Sequence, residues 1–399
     1  MKKLVLAYSG GLDTSYCLKT LSQEGYEVHA ASVNTGGFSP DEIKQQEKNA
    51  YTMGASSYES IDALHSFYDK IVKYLIFGNV LKNNTYPLSV SAERIVQAIE
   101  IIEYAKRIDA KFIAHGSTGA GNDQVRFDLI FQVLAPEIEI ITPIRDQQLS
   151  REAEIEYLQK QGIDLSWEKA QYSINQGLWG TSVGGSETLT SDQSLPDSAY
   201  PSQLTETEPK KITLRFKQGE LVGLNGKEGN PVELIQALQT MAKNYAIGRD
   251  IHVGDTIIGI KGRVGFEAAA PMIILKAHHL LEKHTHSKWQ QFQKEQLANF
   301  YGMQLHEGNY LDAVMRDIEA FLTNSQKTVT GDVYVMLYPH RFELEGISSP
   351  HDLMNASFGS YGEMNKSWTA NDAKGFIKIT ANAHKIYGTV NQKNDKWKQ

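Results

Sequence analysis

The sequence predicts an α/β protein with an N-terminal doubly wound parallel sheet, a second α+β domain and a C-terminal helix. Over residues 1–165, short apolar runs alternate with amphipathic helical stretches, the pattern of parallel strands joined by helical crossovers. From Ile212 the apolar period changes to two and glycine turns follow at short intervals. A chain of 399 residues is also long enough for two or three domains, each with its own core. The expected divisions are 1–165, 166–365 and 366–399.

Leu4 to Tyr8 reads as the first strand, followed by a Ser-Gly-Gly turn and a helix from Thr14 that stops at Gly25. Val28 to Val33 is the second strand. Pro40, suited to a first helical turn, opens a helix that runs to Met53 and ends at Gly54. Ala63 to Gly78 and Ser91 to Ile108 are further helices, and Lys111 to His115 and Ile138 to Ile141 are later buried strands. Ser150 caps a helix that carries Glu152 and Glu154 in its first turn and stops at Gly162. Residues 186–209, rich in Ser, Thr, Pro and acidic side chains, cannot bury enough apolar surface to order themselves and read as a loop or clamp. Ile212 to Phe216 is a strand, with turns at Gln218-Gly219 and Asn225-Gly226 and a helix over Pro231 to Tyr245. Ser287 to Phe300 is helical, and Thr328 to Leu337 and Arg341 to Leu344 are strands. Ala370 to Val390, with Phe376, Ile377, Ile379 and Ile386, predicts an amphipathic helix that docks on another subunit.

Composition excludes several classes. Acidic residues number 47 against 40 basic ones, a net charge of −7, which disfavours a nucleic-acid binder. No apolar run reaches the length of a membrane span, and the start carries no secretory apolar segment. The lone Cys17 excludes an internal disulfide, a CxxC pair and cysteine-rich zinc sites, so the expected location is cytoplasmic and reducing. His278, His279, His284 and His286 read as solvated helix-end histidines, because no metal-spaced Cys or carboxylate is evident beside them.

Two motifs carry the chemistry. Ser9-Gly10-Gly11-Leu12-Asp13-Thr14-Ser15 lies between the first strand and its helix, where free amides and the positive helix end meet an anion. The glycines permit close approach to phosphate oxygens, Ser9, Thr14 and Ser15 add donors, and Asp13 suits Mg2+. The second run, His115 to Asp128, starts at the end of a predicted strand and so overhangs the same sheet edge, where open α/β sheets bind ligands. In it, Thr118, Asn122, Asp123 and Arg126 form a dense polar set. Arg126 suits a carboxylate through its planar fork, and Asp123 suits an amino group or Mg2+.

The first motif is not a Walker loop, since no lysine follows its glycines. It resembles the pyrophosphate loop of the N-type ATP pyrophosphatases, enzymes that cleave ATP to AMP and pyrophosphate and adenylate a carbonyl oxygen. Together, Ala7 to Ser15 and Gly121 to Phe127 resemble the hallmarks of the argininosuccinate synthase family. Supporting matches are Tyr86 with Ser91, Tyr172-Ser173 with Ser182, Gly259 to Lys261, and Asp372 to Ile379, so the resemblance runs almost end to end. It implies a HUP-type (adenine nucleotide alpha hydrolase-like) N-terminal domain, a synthetase domain and a homotetramer. The implied reaction is condensation of citrulline with aspartate through a citrullyl adenylate, with ATP and Mg2+. By motif, Ala7, Tyr8, Ser9, Gly10, Gly11, Leu12, Asp13, Thr14, Ser15, Val33 and Gly116 would hold ATP. Thr118, Asn122 and Asp123 would bind aspartate, while Tyr86, Ser91, Asn122, Arg126, Ser173 and Ser182 would bind citrulline. Asp13, Asp123 and Arg126 are the expected catalytic residues, acting by positioning and charge stabilisation with no strong base required.

Three positions depart from the resemblance. Ala120 stands where the family carries lysine, Gly254 where it carries a glutamate for citrulline's α-ammonium, and Phe266 where it carries tyrosine. A lost charge-assisted hydrogen bond costs about ten- to over a hundredfold in affinity. Either Asp255 or a shifted loop compensates, or Gly254 and Phe266 open space for an N-acylated citrulline such as N-acetyl- or N-succinylcitrulline. A tRNA-modifying adenylase and a non-enzymatic ATP-binding relative remain as remote alternatives.

Overall fold

The computed structural model describes residues 2–163, 172–355, 363 and 367–391. The chain forms two compact units, Met1–His351 and Asp352–Gln399. Both expected domain boundaries, after 165 and after 365, fall outside the described residues.

The first unit opens with β1 (Lys2–Ala7), α1 (Leu12–Gln23), β2 (Tyr26–Asn34), α2 (Pro40–Met53) and β3 (Ser57–Asp62). Ser39 and Glu42 close a reciprocal capping box ahead of Pro40, and Gly54 ends α2 in the left-handed region, which fixes both ends of that helix. Next come α3 (Leu64–Phe67) and α4 (Lys73–Gly78), joined by a π-helical turn at Tyr68–Val72. The single helix expected over 63–78 is therefore interrupted by one wide turn. Then follow α5 (Ser89–Arg107), β4 (Phe112–His115), α6 (Asp123–Leu134), β5 (Glu139–Ile141), α7 (Pro143–Gln147) and α8 (Arg151–Lys160), the last capped by Ser150 as expected. The strands form a parallel sheet in the order β3-β2-β1-β4-β5, the doubly wound arrangement expected. The order reverses between β1 and β4, which places the two motif loops side by side at the carboxyl edge.

The rest of the unit is α+β. It contains β6 (Ser173–Gly177), β7 (Gly180–Gly184), β8 (Lys210–Lys217), β9 (Glu220–Leu224), β10 (Lys227–Glu228), α9 (Pro231–Ala242), β11 (Arg249–Asp255) and β12 (Lys261–Glu267). After these come α10 (Ala269–Thr285), α11 (Lys288–His306), α12 (Ala313–Ser325), β13 (Gly331–Tyr338) and β14 (Arg341–Ser348). Two antiparallel sheets result, β10-β9-β8-β13-β14 and β11-β12-β7-β6. Gln218-Gly219 and Asn225-Gly226 all have positive φ, as the tight turns of that first sheet require. The 186–209 segment contains two short 3-10 turns and is ordered from outside: Arg263 donates to the carbonyls of Glu187, Thr190 and Gln193, and Arg249 donates to that of Ser202.

The histidine expectation needs correction. His278 and His286 are buried, not solvated. His278 bonds to Asn79 at 2.6 Å and Gln326 at 2.9 Å, and a carboxylate does accompany it, since Glu282 lies one turn along α10. Glu282 in turn holds the fully buried Lys294, so the cluster is a polar core network. Among the described residues no group of three metal-binding side chains occurs.

Burial holds His252 and His278 down to about 4 and His306 to about 3. Each folded value lies below the unfolded 6.5, so the unfolded chain takes up protons first as pH falls. Stability contributed by keeping these rings neutral is complete above pH 6.5 and is lost progressively between 6.5 and about 3. Melting temperatures across that window should drop steeply, and a flat profile would contradict the burial of these rings.

The second unit contains a 3-10 turn at Leu353–Asn355 and α13 (Ala370–Asn391). Phe376, Ile377, Ile379 and Ile386 on α13 are 64–71% exposed, an apolar surface large for a solvated helix. No helix among the described residues is long and apolar enough to cross a membrane.

Candidate active site

The Ser9–Ser15 loop owes its shape to what lies behind it. Ser32 on β2 donates to the Tyr8 carbonyl at 2.6 Å, and Gln46 on α2 donates to the Ser9 carbonyl at 3.2 Å. Gly10 sits at φ +77°, and a Cβ there would stand 2.9 Å from Gln46 Cγ. Gly11 is the N-cap of α1 and no side chain caps that helix, so its first amides face the loop concavity without a local acceptor. Thr14 donates to the Gly11 carbonyl instead of capping. Gly116 lets β4 approach closely, since a Cβ there would lie 3.2 Å from Asp13 and the Thr14 amide. Glu154 on α8 is buried near Asp13, and burial, with the Asp13 carboxylate, pushes its carboxyl up to about 8.

Gly10→Ala should cost about 1–2 kcal/mol in the left-handed region and push Gln46 off the loop. ATP affinity should fall about tenfold, measurable by calorimetry; unchanged affinity would mean that the loop does not grip phosphate.

The second loop is built from charge. His115 accepts the Ser117 amide on Nδ1 at 3.2 Å, so its Nε2–H donates to Asp128 at 2.8 Å, and Asp128 also receives Arg145 at 2.7 Å. Asp123 takes Arg94 Nε on one oxygen at 3.0 Å and Arg126 Nη1 on the other at 2.9 Å. Burial pushes the Asp123 carboxyl up, but the two guanidinium groups outweigh that and hold it below the usual carboxylate range. Arg126 is 3% exposed and gives Nε and Nη2 to the His306 carbonyl, which leaves two of its five N–H donors uncommitted. Asn122 accepts the Ile257 amide at 2.8 Å, tying this loop to the β11–β12 connection.

Both loops open onto one cavity of about 870 Å3. Ala7, Tyr8, Ser9, Gly11, Leu12, Asp13, Thr14, Val33, Gly116, Thr118, Asn122, Asp123, Arg126 and Ser173 line it. Gly10 and Ser15 lie off its wall. Tyr86, Ser91 and Ser182 also stand off the wall, each at most 9% exposed. The Tyr86 hydroxyl accepts from Ser89 and the Val90 amide, and Ser91 donates to the Leu88 carbonyl. Glu93, Arg94, Gln97 and Gln176 line the cavity too, although neither sequence motif contains them. A signal for two of them is present: Glu93-Arg94 is an opposite-charge pair within the buried stretch Ser89 to Val96 of α5.

A family model described as the arginosuccinate synthase N-terminal HUP domain matches residues 3–164, and one for the C-terminal domain matches 172–387. The chain belongs to the argininosuccinate synthase family. Among its relatives, argininosuccinate synthase of Xanthomonas campestris is 35% identical over 98% of this chain and 99% of its own length. That of Methanocaldococcus jannaschii is 36% identical over 90% and 91%, and that of Dictyoglomus thermophilum 35% over 99% of each.

Against the argininosuccinate synthase pattern, the three departures look different in three dimensions. Ala120 is exposed on the glycine loop. Gly254 does not open space, because a Cβ there would stand 2.6 Å from the His252 imidazole and 3.3 Å from the Asn83 amide. His252 stacks on Tyr86 at 5.3 Å, and Phe266 is fully buried against the same tyrosine at 5.4 Å. The room anticipated for an acyl group is filled by rings. Asp255 is not a replacement carboxylate either, since it is exposed and pairs with Lys261 at 2.5 Å.

Proposed function

We propose that this chain is a carbon–nitrogen ligase that condenses citrulline with L-aspartate to argininosuccinate in arginine biosynthesis, releasing AMP and pyrophosphate. The observation that carries the reading is the facing of the uncapped α1 loop and the Arg94–Asp123–Arg126 lattice across one cavity. The first is a cradle for phosphate, the second a cradle for amino-acid ammonium and carboxylate groups.

Ala7 to Ser15, Val33 and Gly116 form the ATP side, with Gly10 and Ser15 behind its wall; Thr118, Asn122 and Asp123 hold aspartate; Asn122, Arg126 and Ser173 hold citrulline, and Tyr86, Ser91 and Ser182 back that wall from behind. Asp13 lines the cavity beside the amide cradle and is a hard oxygen donor that would suit Mg2+, which would supply charge neutralisation at the phosphates. Catalysis by the chain's own groups is positioning: α1 amides stabilise charge on the phosphates, and Arg126 fixes the citrulline carboxylate so that the ureido oxygen points at the α-phosphorus. The ordered lattice around Asp123 then presents the aspartate nitrogen to the adenylate. Residues 1–165 serve as the nucleotide domain, 166–365 as the synthetase domain, and 366–399 as the oligomerisation tail. The apolar face of α13 supports a homotetramer, the single free cysteine supports a cytoplasmic enzyme, and the net charge of −7 supports one without a nucleic-acid partner.

Pyrophosphate release with MgATP and aspartate should proceed with free citrulline and run at least tenfold slower with N-acetyl- or N-succinylcitrulline, because rings fill the space beside Gly254. Turnover of an acylated form alone would overturn the free-citrulline reading.

A further inference from the structure

Aspartate's α-nitrogen is an ammonium at neutral pH and has no lone pair with which to attack the adenylate. A proton must therefore leave it before attack, and a weakly basic group on the cavity wall would speed that step without being a strong base. Asp123 is poorly suited, because two guanidinium groups stabilise its ionised form and weaken it as a base.

Glu93 has the opposite character. It projects from α5 into the cavity wall and is 2% exposed. One oxygen accepts Thr35 Oγ1 at 2.9 Å and the other accepts Arg94 Nη1 at 3.0 Å. Arg94 is the same guanidinium that holds Asp123 through Nε, so Glu93 and the proposed ammonium cradle share one arginine head on the wall of one cavity. The opposite wall is bare backbone: a Cβ on Gly177 of β6 would lie 2.2 Å from Glu93 Oε2, so the carboxylate occupies space that a side chain at 177 would take. The groups around it are Arg94 on its own helix, Asp123 on α6, Thr35 after β2, and Gln97 and Gln176, both of which also line the cavity. Burial pushes the Glu93 carboxyl up to about 7; Arg94 and Thr35 oppose that shift and the Asp123 charge adds to it. A carboxyl so tuned can accept a proton and release it near neutral pH.

We propose that Glu93 is the base that deprotonates aspartate's ammonium for the second half-reaction; this rests on the ligase reading above. One N–H proton passes to the Glu93 carboxylate, and the freed lone pair forms the C–N bond to the ureido carbon of the adenylate. The C–O bond to AMP breaks with its electron pair going to AMP. The second proton leaves the nitrogen with the departing phosphate, and nothing is oxidised or reduced. Glu93 then returns its proton to solvent.

The two half-reactions separate this role from a structural one. The wild-type enzyme must first turn over citrulline and aspartate; if it does not, the ligase reading fails and the Glu93 assignment falls with it. In an active enzyme, Glu93→Gln should leave citrulline-dependent exchange of labelled pyrophosphate into ATP within about twofold of wild type. Argininosuccinate formation should fall by about 10²–10⁴. Hydroxylamine, unprotonated at neutral pH, should release AMP from citrulline and ATP equally well with both enzymes. Equal losses in exchange and condensation, or no loss in either, would overturn the assignment. If Glu93→Gln does not fold, Thr35→Val removes one hydrogen bond from the ionised carboxylate and should show the same split at about three- to tenfold; equal effects on both halves would again overturn it.

Discussion

Arg126→Ala is expected to lower kcat/KM for citrulline about a thousandfold, roughly 4 kcal/mol of transition-state stabilisation. The guanidinium is buried, braced on the His306 carbonyl through two nitrogens and on Asp123 through the third. Its removal deletes the proposed partner of the citrulline carboxylate and also strips Asp123 of one of two cations that keep it ionised. Arg126→Lys keeps the charge but cannot span His306 and Asp123 with one planar fork, so it should recover little. Steady-state kinetics at saturating ATP and aspartate would decide the matter. A fall of less than tenfold for the alanine variant would mean that Arg126 serves the fold alone.

The largest stability effect should come from the buried network that joins α10 and α11. Glu282→Ala leaves the Lys294 ammonium with only the Phe77 carbonyl, at full burial, and deprives Gln326 of one of its acceptors, at 2.9 Å. Breaking one partner of such a pair costs about 3–5 kcal/mol, because the remaining charge has lost its compensation. Denaturant unfolding should show this as a lower midpoint with an unchanged slope. The double replacement Glu282→Leu with Lys294→Met should restore most of the loss, since both charges then go together. If the double variant were as unstable as the single one, the hydrogen bonds that Asn79 and Gln326 donate to Glu282, not the charge pair, would hold this part of the core together.

What the sequence discloses is local. The β1–loop–α1 unit and the run from Gly121 to Phe127 are contiguous, so glycine, hydroxyl and charge spacing point to anion and carboxylate binding, while the reaction and its substrates come only with the family resemblance. β3 escapes such a reading because Ser57–Asp62 is polar and lies at the sheet edge, where no apolar alternation is imposed. The sheet β11-β12-β7-β6 is two local hairpins, and the pairing that joins them sets Val183 of β7 against Gly265 of β12, so no short window of sequence contains that register. Glu93 and Arg94 stay hidden for a related reason: the partners that give them meaning, Thr35 and Asp123, are 58 and 29 residues away. Gly254 and Phe266 mislead because a residue lost from a pattern says nothing about what moves into its place, here the His252 ring. The buried histidines mislead because their partners lie far along the chain: Asn79 and Gln326 for His278, and the Ser325 carbonyl for His286.

The uncapped end of α1 also ties the steadiness of the nucleotide sheet to what occupies the loop. No side chain caps its first amides, so an occupying polyanion steadies the start of the nucleotide sheet as well as meeting its own reaction partner. By mass action, nucleotide at a hundred times its dissociation constant adds about 2.7 kcal/mol to the folded state. An empty loop therefore leaves this corner of the sheet easier to open than a nucleotide-filled one.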